Sequence, residues 1–354
     1  MATTLVIPAY NEARRMEDAL PKLLACLKGD EEIIVVDDGS DDGTLEVARR
    51  HLGGVVNAHY VHFDGNRGKG AAVREGVIRA RGSAIAFLDA DMASDPSGLA
   101  TLLGALDECE VAIGSRAHPR STVNCRDMER VLFGRVFNRF VRATTGLAAR
   151  DTQCGFKAFR APAAKLLFHT SSIDRYAFDV EVLMLASKFG MRVKEVPVDW
   201  TDVRGSHVRP LIDSVPMAAD VVRSVAGWRH GRPVEAVTIV SATNGNRHGP
   251  PEVIRALRDC LRYGDAVVSW PRGALALLPC LDANAVSAIR ARLAERLPAC
   301  RVDHSSITVE MLMHPSAAPL LAALRAFPQE RAEEAPVICD QGTASMLLSS
   351  IGVG

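Results

Sequence analysis

Two carboxylates separated by one small residue, Asp89-Ala90-Asp91, follow the apolar run Ala84-Ile85-Ala86-Phe87-Leu88. Five apolar residues read as a buried strand, and a strand that ends in two acids calls for a positive partner. An isolated buried carboxylate loses several kcal/mol to desolvation. A divalent cation or a nearby arginine relieves that cost, and oxygen ligands favour Mg²⁺ or Mn²⁺ over zinc. Seen alone, the pair reads equally as solvated loop acids or a helix cap.

Other groups capable of chemistry stand at similar places. Tyr10, Asn11 and Glu12 follow the apolar run Thr4-Leu5-Val6-Ile7-Pro8, and Asp37-Asp38-Gly39-Ser40 follows Ile33-Ile34-Val35-Val36. Acids at strand ends can hydrogen-bond a sugar or base, or hold a metal. Gly65-Asn66-Arg67-Gly68-Lys69-Gly70 opens a helix and offers backbone N–H groups with one cation, which suits phosphate. It lacks the Lys-Ser/Thr spacing of a P-loop.

The elements that must position these residues alternate. A helix is expected from the Tyr10–Glu12 loop to about Leu27, another through His51, a strand near Ala58–His62 and a helix to Arg81. A helix near Pro96–Leu106 and a strand at Glu110–Ile113 follow. The strands are continuous apolar runs, the pattern of a parallel sheet covered on both faces. Ligands of such sheets gather at the carboxyl ends of the strands.

A length of 354 residues points to two domains, and 48% hydrophobic with 24% charged residues is ordinary globular composition. The formal net charge of +0 gives no global reason to bind nucleic acid. No run of eighteen apolar residues suggests a membrane span, and the first residues lack the regions of a signal peptide. The eight cysteines stand singly without a C-x-x-C, which reads as reduced, mostly buried thiols of a cytoplasmic protein.

Taken together, Val6–Glu12, Val36–Thr44, Asn66–Gly70, Asp89–Asp91, Gly114–His118, Asp151–Lys157, Ala177–Glu181 and Trp200-Thr201 resemble the family 2 inverting glycosyltransferases of GT-A fold. Within them the set is most similar to the dolichyl-phosphate β-glucosyltransferases, with the dolichyl-phosphate mannose synthases a cousin class. The similarity runs roughly from Thr3 to Trp228.

The resemblance implies a Rossmann-like α/β domain that moves a hexose from a nucleotide sugar, glucose from UDP-glucose first, to a polyprenyl or dolichyl phosphate. It implies a nucleotide-sugar pocket of Pro8, Tyr10, Glu12, Asp37, Asp38, Lys69, Asp89, Ala90 and Asp91. Asp89 and Asp91 become the DxD pair for Mg²⁺ or Mn²⁺. Ala93 departs from the glutamine that ligates in some mannose synthases. Arg116 corresponds to an arginine that meets the acceptor phosphate, with Arg130 the match for a second and Arg126 the fallback. Asp91, Arg116, Arg130 and Asp179 form the expected catalytic set. Asp179 or Glu181 would be the base if the acceptor were a hydroxyl of a soluble molecule. As helix-start acids, both equally read as caps or arginine partners. A silent nucleotide-sugar sensor is a third reading.

Arg126–Gly146 and Pro210–Trp228 read as amphipathic helices with basic residues, suited either to covering the sheet or to lying at the inner face of a membrane. After a linker at Trp228–Pro233 the pattern restarts, dividing the chain into residues 1–230 and 231–354. A strand at Val237–Ser241, helix Pro251–Arg262, a hairpin of Ala266–Trp270 and Ala274–Leu278, helix Ala283–Leu297, a strand near Ile307–Met311 and helix Ala317–Ala326 are expected. This part resembles the second half of a GGDEF, ferredoxin-like α+β domain. Trp270-Pro271-Arg272-Gly273-Ala274 replaces its signature and Ser241 stands near the missing metal acid. Without those acids no two-metal site forms, so the expectation is a non-catalytic module for homodimerisation, scaffolding or ligand sensing.

Overall fold

The computed structural model describes residues 2–125, 128–203, 210–229, 235–244, 252–253, 255–256, 266–270, 273–279, 283–298 and 300–308. The chain divides into two compact units, one of residues 2–160 with 171–231, the other of 161–170 with 232–354.

The first unit is built on seven strands. They are β1 (Thr3–Ala9), β2 (Glu32–Asp37), β3 (Ala58–His62), β4 (Ala84–Leu88), β5 (Val111–Ser115), β7 (Phe156–Arg160) and β8 (Val193–Pro197), in the order β3-β2-β1-β4-β7-β5-β8. β1, β2, β4 and β5 are buried along their whole length, which is why they read as unbroken apolar runs. Helices α1 (Ala13–Cys26), α2 (Thr44–Leu52), α3 (Lys69–Arg79) and α4 (Leu99–Gly104) fill the crossovers. The region expected as one helix near Pro96–Leu106 is α4 flanked by single 3-10 turns, Pro96–Gly98 and Ala105–Asp107.

The sheet is mixed, where the sequence pattern predicts a parallel one. β7 runs antiparallel to both β4 and β5. The reason lies in where it starts: Leu88, the last residue of β4, faces Phe156, the first of β7. The chain arrives at β7 on the carboxyl edge and can enter the sheet only by running back. This direction brings the Asp151–Gly155 loop to the same edge as the DxD pair.

A two-stranded parallel ribbon, β6 (Thr122–Asn124) with β9 (Asp199–Thr201), continues beyond this edge. Helix α5 (Met128–Thr145) packs against α8 (Pro210–Arg229), and α7 (Phe178–Lys188) lies between β7 and β8 in sequence. Both basic amphipathic stretches are therefore helices. Among the described residues no helix is long and apolar enough to cross a membrane. Among the described cysteines Cys109 and Cys154 are buried, Cys125 is half-buried and Cys26 is exposed at the end of α1.

The second unit holds α6 (Ala161–Thr170), a four-stranded antiparallel sheet of β10 (Glu235–Asn244), β11 (Ala266–Trp270), β12 (Gly273–Pro279) and β13 (Cys300–Thr308), and α9 (Ala283–Arg296). The strand order is β11-β12-β10-β13, and α6 lies alongside β10 and β12. The last strand begins several residues earlier than the sequence pattern suggests. The expected helix Ala317–Ala326 and most of Pro251–Arg262 lie outside the described residues.

Candidate active site

The carboxyl edge of β1, β2 and β4 collects the candidate residues. Asp89 and Asp91 sit on a tight turn directly after β4, in which Met92 takes φ 49° and its N–H donates to the Asp89 carbonyl at 3.0 Å. The Asp91 carboxylate accepts from the Ala93 N–H at 3.1 Å. β9 grips the residues that follow: Thr201 N–H donates to the Ala93 carbonyl and Asp95 N–H to the Asp199 carbonyl, each at 2.8 Å. Position 93, where a glutamine was a possible ligand, thus serves through its backbone.

Each acid of the pair has a cation. Lys69 Nζ lies 2.6 Å from Asp89 Oδ1. Arg15, on the first turn of α1, forks onto Glu12 at 2.5 Å and reaches Asp91 Oδ2 at 3.6 Å. Burial, with Asp89 adding repulsion, pushes the Asp91 carboxyl above its ordinary value. Burial also pushes Glu12 up to about 8, with Asp91 and Asp89 adding to the rise and Arg15 opposing it. An acidic cluster that resists ionisation is a place where added positive charge is favourable. Among the described residues no group of three or more His, Cys, Asp or Glu is arranged to hold a metal. Asp89 and Asp91 could still hold Mg²⁺, which is commonly bound through one or two carboxylates with water and phosphate oxygens completing the shell.

The β2 acids are engaged locally. Asp37 accepts from Ser40 N–H at 3.1 Å and pairs with His62 at 2.9 Å. Asp38 accepts from the N–H groups of Arg67 and Gly68 at 2.7 and 2.8 Å. The glycine-rich turn is thereby tied to β2. Gly68 has φ 106°, and a Cβ there would lie 2.4 Å from the Asp174 carbonyl oxygen. The loop after β2 also serves α1: Asn11, Glu12 and Ala13 donate their N–H groups to Ser40, Thr44 and Asp42 side chains at 2.9, 2.8 and 3.0 Å.

On the other side stands Arg116. Its Nε and one terminal nitrogen donate to both oxygens of Asp151 at 2.7 and 2.9 Å, and its own N–H donates at 3.0 Å. Its guanidinium lies 5.6 Å from the centre of the Trp200 ring. Burial of Asp151 disfavours its charge, but Arg116 outweighs this and holds the carboxyl down at about 2. Gly155 touches the DxD pair directly: Asp89 N–H donates to its carbonyl at 3.0 Å. A Cβ at position 155 would lie 2.0–2.3 Å from the Asp89 carboxylate atoms.

The sequence profile of Glycosyl transferase family 2 matches residues 4–168. The dolichyl-phosphate β-glucosyltransferase of Dictyostelium discoideum is 35% identical over 237 residues, 62% of this chain and 72% of that protein. The chain belongs to glycosyl transferase family 2. The transferase is similar in the same way to the dolichyl-phosphate β-glucosyltransferases of Drosophila melanogaster (36% over 251 residues, 64% of this chain and 76% of that one) and Homo sapiens (35% over 237 residues, 62% and 73%). Glucosyl-3-phosphoglycerate synthase from Mycobacterium tuberculosis, solved with Mn²⁺, UDP and glucosyl-3-phosphoglycerate, is 21% identical with a TM-score of 0.48. The match covers 68% of this chain and 84% of that one.

The transferase brings Pro8, Tyr10, Glu12, Asp37, Asp38, Lys69, Asp89, Ala90 and Asp91 to one sheet edge. It does not leave the α7 acids disengaged. Asp179 is buried and bonded to Lys157 Nζ at 2.6 Å. Glu181 accepts from Ser172 N–H, Ser172 Oγ and Ile173 N–H, each at 2.9 Å. Neither acid caps α7, whose N-cap Ala177 has no side-chain cap, and the cation on Asp179 is a lysine where an arginine was expected. Arg130 lies on α5 with its side chain outside the described residues, and Arg126 lies outside them altogether.

Four residues given no role from sequence are central here: Arg15, Asp151, Gly155 and Lys157. Arg15 carried a signal, being three residues beyond Glu12 and so on its helix face. Lys157, a lone cation between Phe156 and Ala158-Phe159 in a buried strand, carried another.

Proposed function

We infer that the enzyme transfers glucose from UDP-glucose to the phosphate of a polyprenyl or dolichyl lipid, in a metal-dependent displacement that gives a β-linked product. The observation that carries this reading is the engagement of both α7 acids. With Asp179 on Lys157 and Glu181 on the 172–173 loop, neither is disposed to deprotonate a hydroxyl. A phosphate acceptor is already an anion and needs no strong base. The names of the relatives support the same acceptor.

Pro8, Tyr10, Glu12, Asp37 and Asp38 would hold the nucleoside and Lys69 the diphosphate. Asp89 and Asp91 would hold Mg²⁺ or Mn²⁺, which when bound neutralises the departing nucleoside diphosphate. Arg116 has its plane fixed by Asp151, and a guanidinium with five N–H groups retains donors for a phosphate. Arg130 would be the second phosphate arginine. Catalysis then rests on aligning the phosphate oxygen behind the anomeric carbon. Exposed Val136 on α5, with Val215 and Val222 on α8, favours peripheral contact with a membrane that carries the acceptor. Residues 231–354 would be a degenerate GGDEF-like module, without cyclase activity and used for homodimerisation, beside a catalytic part of residues 1–230.

The test offers the protein radiolabelled UDP-glucose, GDP-mannose or UDP-GlcNAc with Mg²⁺ or Mn²⁺ and a short polyprenyl phosphate. Label in the organic phase from UDP-glucose alone is expected. Asp91→Ala should abolish it with the fold intact. Label that stays aqueous sinks the lipid acceptor, and full activity in Asp91→Ala removes the metal role.

A further inference from the structure

Lys157 is 1% exposed, on a strand in the middle of the sheet. Its ammonium donates to Asp179 Oδ1 and to the Cys154 carbonyl, both at 2.6 Å, and lies 5.4 Å from the centre of the Phe87 ring. Burying two charges costs several kcal/mol per ion, and a pair of apolar residues of similar size often serves stability as well or better. What the pair fixes is therefore more informative than what it adds to stability.

It fixes the turn on which Asp89 rests. The Cys154 carbonyl is held by Lys157, and the next carbonyl, of Gly155, accepts the Asp89 N–H at 3.0 Å. The Gly155 backbone is packed so closely on the Asp89 carboxylate that no Cβ fits between them. From the other side Lys69 holds Asp89, and the charges of both Lys69 and Asp89 are felt at Asp179. Each of the two carboxylates, Asp179 and Asp89, thus has its own lysine, Lys157 and Lys69.

Resting on the donor-site reading above, we propose that Lys157 and Asp179 are positioning residues that set the Asp89 carboxylate for the donor diphosphate, acting through the Cys154–Gly155 turn. Neither touches the reacting atoms. This gives Asp179 a different role from that of a base.

The test replaces the pair by apolar residues of similar size, Lys157→Met with Asp179→Leu, and uses Asp179→Asn as the milder variant, since its amide oxygen can still accept from Lys157. Three quantities are measured: thermal midpoint, amide exchange of the 88–93 segment, and binding of UDP with Mn²⁺. The double variant should keep a cooperative transition, lose protection at the Asp89 amide and bind UDP–Mn²⁺ about tenfold or more weakly, as loss of groups behind a metal ligand commonly does. Asp179→Asn should keep that protection in part and lose less transfer activity than the double variant. Unchanged exchange at Asp89 in the double variant overturns the inference. So does an Asp179→Asn variant that binds UDP–Mn²⁺ normally, exchanges normally and transfers nothing, because that is the behaviour of a missing base. Failure of the unaltered protein to bind UDP–Mn²⁺ would count against the donor reading alone, and the exchange measurement would still decide the positioning role. If the double variant does not fold, Asp179→Asn decides by the same exchange and transfer measurements.

Discussion

Gly155→Ala is the sharpest probe of the proposed donor site at Asp89. Its φ lies outside the left-handed region, so alanine meets no backbone strain there. The added methyl would lie 2.0 Å from Asp89 Oδ2, 2.2 Å from Cγ and 2.3 Å from Oδ1. Ordinary contact begins near 3.4 Å, so the carboxylate must retreat by roughly 1 Å or more. The obstacle is the end of a side chain, so the cost in stability should stay near 1–2 kcal/mol, within the range for overpacking. The cost in rate should be larger, because a misplacement of about 1 Å can reduce catalysis about 100-fold. The expected result is a small fall in thermal midpoint with a fall in kcat of about two orders of magnitude, read by transfer of label from nucleotide sugar. Near-normal kcat in Gly155→Ala would refute the reasoning, since the site would then tolerate an Asp89 carboxylate in a different place.

Two further outcomes follow from buried acids. Asp151, held at about 2 against an ordinary 3.8, gives stability that is fully present above the ordinary value and is lost as pH falls through about 2. Asp151→Asn should therefore lose about 2 kcal/mol at pH 7, and its deficit relative to the unaltered chain should shrink between pH 4 and pH 2 in urea unfolding. A deficit that stays constant over that window would show that the Arg116 pair is not its source. Glu181→Gln should lose about 1–3 kcal/mol, because an amide cannot accept at both ends as the carboxylate does. Its transfer rate should remain within about tenfold, whereas loss of a general base costs about 100-fold or more and would reinstate Glu181 in that role.

The sheet was legible because β1, β2 and β4 are buried on both faces and so appear as apolar runs followed by polar residues. β7 was not legible as a strand of reversed direction. Direction depends on where the preceding loop delivers the chain, and Phe156–Arg160 carries no mark of that. The gathering of acids at one sheet edge could be read from residue types, since acids at strand ends are conspicuous. The partners of those acids could not, because Arg116 with Asp151 and Lys157 with Asp179 join residues 35 and 22 positions apart. The same limit hid the Lys157 partner of Asp179 from the sequence.

The N-terminus of α1 has consequences for the order of assembly. Glu12 makes no side-chain cap of its own, and the N–H groups of Asn11, Glu12 and Ala13, where the chain enters the helix, are taken by residues about thirty positions later in the chain. Helix nucleation is costly and short helices are marginal alone. The first turn of α1, with Glu12 and Arg15 on it, thus gains its hydrogen-bond partners only when the loop after β2 has closed over it. The helix cannot complete its first turn as a local event. It becomes ordered as a consequence of pairing β1 with β2, which makes the placement of Glu12 and Arg15 a product of long-range folding that follows the meeting of the central strands.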